Sequence, residues 1–491
     1  MSFLTLNAPK LHYFEDQLQL ALSTVRTLKN VVVPVINRLS QDVLTLIPTH
    51  FDPRDTLSTL NASHVCRYWR SALLSSPALW STMDTARMTQ SHLQLHLDRS
   101  RASPLDVNLA AGNPAHILQQ VLDRTHQIRL LSFETMSWSQ WKAVSQHFTA
   151  SALPALVDLR ISARTQADSA VPDSAIFSHA SNLRHLSIRI SGPPAPIWSQ
   201  IAFPSLTSIR IRLGREFNPI MMVDPLLDVL QSSPLLEDVH LVFWTLMMER
   251  GVPHRRVSLP RLRNLSISCR PTPILILASI TFPPSASVLA KAKVEEPFPH
   301  DLVLSLGQHL FPLISGSDEL VFSHSMRFIQ STLHFKKDGE TRFKLENSGN
   351  SHPLPLVESI TFIATCPLDT IRRFVIEGRI RGVTNDQISR VLQNLRNVET
   401  LVLKGTINIL PLLLSVTQDG QYPCPTLKTL TIDDDTATPH RKLVPVVKAR
   451  SEAGFPLQRV ILCAKYFEAV AGELRQFVED VEYGEYTEFP L

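Results

Sequence analysis

The sequence predicts an α/β protein: a small helical module near the N-terminal end, then a ladder of parallel strands with helices along its outer side. Three observations carry this. Apolar triplets spaced apolar–x–x–apolar–x–apolar return at steps of 23 to 30 residues from Ile128 onward. Helical segments lie between them. The chain also holds 35 prolines against 15 glycines, which suits many sharp, rigid element ends better than phosphate-cradling loops or flexible linkers.

The first element is a helix over about Leu11–Val33, with Phe14, Leu18, Leu22, Val25 and Leu28 along one side and Pro34 ending it. Its face suits either a short coiled coil or packing on the neighbouring helical module. Next comes Ile36–Ser81. Leu39, Val43, Leu44 and Ile47 recur at three- and four-residue steps, and Val65, Cys66, Trp69 and Leu73 fall on one helical stripe. Pro77 stops that helix, and Leu79 and Trp80 come directly after it. A unit this small cannot bury two tryptophans and so many aliphatics among its own helices, so it needs a partner or a second domain packed on it.

The segment RLSQDVLTLI, with the tail SHVCRYWRSALLSSPALWST, resembles an F-box-like module of the basidiomycete fungal type. VCRxWR followed by Pro-x-Leu-Trp is its most specific part. At the front this chain has Leu39-Ser40 where the family usually has Leu-Pro, and the His50–Thr56 loop carries Pro53 and Arg54-Asp55. The resemblance implies a three-helix motif that docks on the Skp-type adaptor of a cullin–RING ubiquitin ligase. Contact would come through Leu39, Val43, Leu44, Ile47, Val65, Cys66, Trp69, Leu73, Leu79 and Trp80, with the two indoles as structural anchors. The expected divisions are an N-terminal helix (1–34), the F-box-like module (35–85) and the ladder (86–491).

A short helix (Leu93–Leu97) and a strand (Pro104–Leu109) join module to ladder. The triplets then begin at Ile128, Leu156, Leu183, Leu206, Leu236 and Leu262, at steps of 28, 27, 23, 30 and 26 residues. They resume at Val357, Val398, Leu427 and Leu457. A proline stands two residues before several of these anchors: Pro154, Pro204, Pro234, Pro260 and Pro425. Period and strand pattern match leucine-rich repeats, although the asparagine or cysteine that usually turns the chain after the strand is missing. Helical segments at Val223–Pro234, Thr384–Asn397 and Thr406–Gly420 fill the gaps, with Thr384 and Asp386 placed as N-caps of the second. Each repeat leaves an apolar strand face open until its neighbour stacks, so the units stabilise one another. Two or three aliphatics per strand, at ~1.5–3 kcal/mol each, offset the ordering cost.

The stretch near 272–353 breaks the register. Leu277, Ile280 and Phe282 come too early for a full unit, and Val303–Leu313 reads as helix. STLHFKKDGETRFKLEN reads as a β-hairpin turned at Asp338-Gly339, with Leu333, Phe335, Phe343 and Leu345 alternating, inserted on the rim of the ladder.

Composition bounds the chemistry. A net charge of +4 over 491 residues does not suggest nucleic acid. Five scattered cysteines in no paired spacing suggest neither a zinc site nor a disulfide frame. The start of the chain lacks a basic-then-apolar leader, and no apolar run approaches the ~18 residues of a membrane span. A soluble cytoplasmic or nuclear protein is expected. No nucleotide-binding, hydrolase or metal motif is present, so neither an enzyme nor a cofactor is expected. His92 and His96, four apart, read as a solvated helix face, and Asp433-Asp434-Asp435 as a charged turn.

On the open face of the ladder, Arg160, Arg189, Arg210 and Arg212, with His185 and His240 near, form a candidate client-binding field. Guanidiniums on neighbouring strands suit an acidic or phosphorylated segment. The expected function is therefore a non-catalytic substrate receptor, holding an adaptor at one end and a client protein at the other. The alternative is a repeat scaffold whose F-box no longer binds an adaptor.

Overall fold

The structure, a computed structural model, describes residues 8–32, 39–50, 56–110, 115–137, 153–164, 180–191, 203–214, 221–243, 246–247, 255–269, 273–294, 310–325, 329–349, 354–378, 380, 382–405, 409–416, 422–433, 439–463 and 470–484. It is a mixed α/β protein dominated by parallel strands, in two compact units: Met1–Arg164 with Ala175–Leu183, and Thr165–Ser174 with Arg184–Leu491.

The first unit opens with α1 (Ala8–Val32), α2 (Gln41–Thr49), α3 (Thr56–Ser63) and α4 (Arg67–Leu74). Ser40, the residue that departs from Leu-Pro, has a job here: its hydroxyl accepts from the Val43 N–H and caps α2. Leu44, Trp69 and Leu73 form a small core with Ala62 and Ala72, and Leu39, Ile47, Cys66 and Leu79 pack at its edge. A 3₁₀ turn, Pro77–Trp80, leads into β1 (Thr82–Asp84), α5 (Gln90–Ser100), β2 (Leu105–Ala110), α6 (Ala115–Leu122), β3 (Ile128–Ser137) and β4 (Asp158–Arg164). β1 to β4 pair in sequence order, all parallel.

Trp80 joins the helices to this ladder. It is fully buried, its indole N–H donates to the Leu73 carbonyl at 3.0 Å, and its ring meets the edge of His96 at 5.1 Å. The Arg99 guanidinium lies 4.3 Å from the ring centroid. This corrects the solvated reading of His96, which is only 3% exposed. Helical spacing placed His96 correctly, but α5 turns that face onto the indole. Burial, then repulsion from Arg99 and His92, outweigh a hydrogen bond with the Trp80 backbone and lower its pKa from 6.5 to about 4. The neutral ring is thus the folded form. Stability is complete above pH ~6.5 and is lost as pH falls toward 4, by on the order of 3 kcal/mol in all. His96→Gln is expected to flatten the acid limb of a pH–denaturation series, and an unchanged limb would refute this.

The second unit contains β5 (His185–Ser191), β6 (Ser208–Leu213), α7 (Val223–Gln231), β7 (Asp238–Val242), β8 (Asn264–Cys269), α8 (Pro273–Ser279) and β9 (Ser287–Val294). Then come β10 (Glu319–Ser325), β11 (Gln330–Lys337), β12 (Glu340–Gly349), α9 (Leu354–Thr365), β13 (Arg373–Glu377), α10 (Asn385–Asn394) and β14 (Thr400–Lys404). β15 (Thr429–Asp433), α11 (Pro439–Glu452), β16 (Arg459–Cys463) and β17 (Asp480–Gly484) close it. The sheet order is β5-β6-β7-β8-β9-β12-β11-β10-β13-β14-β15-β16-β17. Among these pairings, only those of β11 are antiparallel.

The triplets set the register. Leu186, Ile209, Val239, Leu265, Val288 and Phe343 align across neighbouring strands, as do Ile188, Ile211, Leu241, Ile267, Ala290 and Leu345. All are buried. The recurrent prolines have a reason too: in Leu153-Pro154-Ala155-Leu156 the anchor N–H bonds the carbonyl three residues back, and the same holds at Leu206, Leu236, Leu262 and Leu427. Proline's fixed φ suits the second position of such a turn. Thr384 closes a capping box with Gln387 at the start of α10.

Two expectations change. Val357, Ile360 and Phe362 are not on a strand: they lie in α9. The triplet here is Ile371, two residues ahead of β13, with Phe374 and Ile376 on it, and Ile371 stands 27 residues before Val398. The 333–345 hairpin forms as expected, with Leu333 opposite Leu345 and Phe335 opposite Phe343, and Asp338 (φ 53°) and Gly339 (φ 82°) take the two left-handed turn positions. It is not on a rim, however. With β10 it forms a three-strand meander seated between β9 and β13, so the sheet continues across 272–353. The expected helix at 303–313 is described only from Leu310, as one turn at Phe311–Ile314. Asp434 and Asp435 lie outside the described residues.

Among the described residues no helix is long and apolar enough to cross a membrane, and no group of three or more His, Cys, Asp or Glu could hold a metal. Cys66, Cys269, Cys366 and Cys424 are not joined in disulfides.

Candidate functional site

Two surfaces carry the residues singled out from the sequence, one in each unit. In the helical module the ten apolar candidates separate into three depths. Leu44, Trp69, Leu73 and Trp80 are buried and build the module itself; Leu39, Ile47, Cys66 and Leu79 are half-buried at the core edge. Val43 and Val65 face out, at 42% and 60% exposure. Val65 stands in the turn before α4 rather than on its stripe, because α4 begins at Arg67. Two outward residues escaped the sequence reading, Leu46 and Tyr68, both exposed. Leu46 lies one turn beyond Val43, on the side away from Leu44. Tyr68 donates its hydroxyl to the Leu39 carbonyl at 2.9 Å, which holds its ring against the start of α2.

In the second unit, side chains alternating with the buried triplets form the open face. Arg189 on β5 is register partner of Arg212 on β6, and Arg210 on β6 of His240 on β7. Neighbouring strands lie about 4.8 Å apart, so three guanidiniums and an imidazole share one small area. All four are exposed, as is His185 at the start of β5. The described residues show no carboxylate paired with Arg189, Arg210 or Arg212. His240 reaches water at its edge, yet lost hydration against the strands, then repulsion from Arg210, Arg212 and Lys291, lowers its pKa. The local field is therefore positive.

Elsewhere the same face is neutralised. Glu346 holds Lys291 at 2.7 Å and Lys344 at 2.6 Å, which ends the positive field at β12. Beyond it Glu319 pairs with Lys336 and Arg373, and Glu377 with Lys404, around an open depression of about 320 Å³ floored by Val321 and Val375. Arg160 belongs to the first unit and is engaged there, its Nε and Nη2 donating to the two Asp158 carboxylate oxygens at 3.2 and 2.7 Å. Arg129 is held by Asp106 in the same way. Among the described residues the cations of this face without a paired carboxylate thus belong to β5–β7; Asp158, two residues before Arg160 on the same strand face, is the sequence signal that could have set Arg160 apart.

No family model matches the chain, and no curated protein matches it.

Proposed function

We propose that this protein is a non-catalytic receptor subunit: its helical module takes a Skp-type adaptor of a cullin–RING ligase, and the ladder of irregular leucine-rich repeats takes an acidic client. The observation that carries the reading is the outward quartet Val43, Leu46, Val65 and Tyr68 on a module whose own core is already filled by Leu44, Trp69 and Leu73. The F-box-like motif of the tail supports the same partner. On the client side, exposed guanidiniums on adjacent strands favour bidentate contacts with carboxylate or phosphate. Simultaneous occupancy would act through effective concentration alone.

The test uses the purified full chain with purified adaptor and, separately, an acidic phosphopeptide. Val43→Asp with Leu46→Asp is expected to remove adaptor binding, while Arg189→Glu with Arg210→Glu removes peptide binding and leaves thermal stability unchanged. If the unaltered chain ignores the adaptor but keeps the peptide, the reading gives way to a repeat scaffold whose module is only a cap.

A further inference from the structure

The helix α1 presents an uncovered apolar seam. Leu11, Phe14, Leu18, Val25 and Leu28 are 52%, 55%, 64%, 63% and 60% exposed, along a helix of 25 residues. A monomeric fold does not leave so long a stripe in water without a use for it. Contact with the module runs through the opposite side, where Arg67 donates to the Ser23 hydroxyl.

The spacing identifies the occupant. Leu11, Phe14, Leu18, Ala21, Val25, Leu28 and Val32 alternate in steps of three and four, an unbroken period of about 3.5 residues. That is the a/d seam of a coiled coil, not the stripe of about 3.6 residues per turn of a helix lying on a core. Positions b and f are polar throughout: His12, Gln19 and Arg26; Asp16, Ser23 and Asn30. The e positions are Glu15, Leu22 and Lys29, with the carboxylate and the ammonium each seven residues from Leu22. A two-fold axis beside Leu22 brings Glu15 of one copy to Lys29 of the other, twice, and Leu22 to its own equivalent. The same register sets Leu18 against Leu28, Val25 against Ala21 and Phe14 against Val32. In an antiparallel pair e faces e, so the e flank is complementary to its own symmetry copy, as an isologous contact requires.

We propose that two copies of this chain associate through α1 as an antiparallel two-stranded coiled coil. The seam shares no residue with either proposed binding face, so the dimer would present two helical modules and two ladders.

The test is sedimentation of the purified full chain across a dilution series. A dimer is expected, and Leu18→Asp with Leu28→Asp should weaken it at least about a hundredfold, while Gln19→Asp on the polar side leaves it unchanged. Glu15→Lys and Lys29→Glu should each weaken it about tenfold, and the two together should restore it. The double charge swap decides orientation: in a parallel pair Glu15 faces Lys10, and the swap leaves that repulsion in place. A chain monomeric at every concentration, a dimer insensitive to Leu18→Asp with Leu28→Asp, or a swap that fails to rescue would each overturn the proposal. So would a monomer in which Leu18→Asp with Leu28→Asp abolishes adaptor binding, since α1 would then be part of the adaptor's seat.

Discussion

Gly378→Ala is expected to destabilise the second unit by on the order of 3 kcal/mol, although the change adds a single methyl group. Gly378 follows β13 with φ +92°, and a Cβ there would lie 2.0 Å from the backbone oxygen of His324 on β10. A flexible side chain could move aside; a strand carbonyl cannot without pulling β10 out of register with β13. Its N–H also donates to the Lys404 carbonyl at 2.8 Å, tying β13 to β14. Gly339 is the control. Its φ is similar, +82°, but nothing lies within 4 Å of its missing Cβ, so Gly339→Ala should cost only about 1 kcal/mol of backbone strain. Urea denaturation of the two variants against the parent measures the difference. Equal losses would show that φ, not the close approach to His324, governs this position.

Trp80→Ala should cost the first unit about 3–5 kcal/mol, the range for emptying a buried aromatic site. Three contacts go at once: the bond to the Leu73 carbonyl, the edge of His96 and the seat of the Arg99 guanidinium. The variant also opens the joint between α4 and α5, so the expected readout is a separate early transition followed by circular dichroism. Trp80→Phe keeps most of the apolar contact and loses the N–H donor, and should recover more than half of the loss. If Trp80→Ala unfolds within about 1 kcal/mol of the parent, the indole does not join α4 to α5.

How far the fold could be read beforehand depended on whether the local pattern had one reading. Most triplets did: Leu206, Ile209 and Ile211 lie between turn signals in a run short enough for a strand, and the proline two residues earlier marked the turn. The Asp338-Gly339 hairpin was equally legible, because both turn residues accept positive φ. LPLVESITFIAT was not. Val357, Ile360 and Phe362 satisfy the triplet spacing, yet they belong to a helix of twelve residues, longer than any strand of the ladder. The true strand, RRFVIE, was hidden by its two arginines.

At the candidate sites, sequence named the outward rows of the ladder, and part of their pairing was there to be read. Arg160 follows Asp158 by two residues on one strand face, whereas Arg189 follows Ser187, and that difference separates a carboxylate-bound guanidinium from one with no carboxylate paired to it among the described residues. In the helical module, Leu44 and Val43 are neighbours in sequence; one is in the core and the other in solvent. A stripe of aliphatics marks a buried face and its border together, and which residue lies on which side depends on how closely α4 approaches α2.

The meander of β10, β11 and β12 constrains what this ladder can accept. Both of its outer strands run with the repeats, so the strands after it keep the polarity of those before it. A cassette of one or three strands can enter at this joint; a cassette of two would present its reversed strand to a parallel neighbour. Length variants of the cassette at this position should therefore hold odd numbers of strands and differ from one another by two, and the joint works as a parity filter on what can be spliced into the sheet.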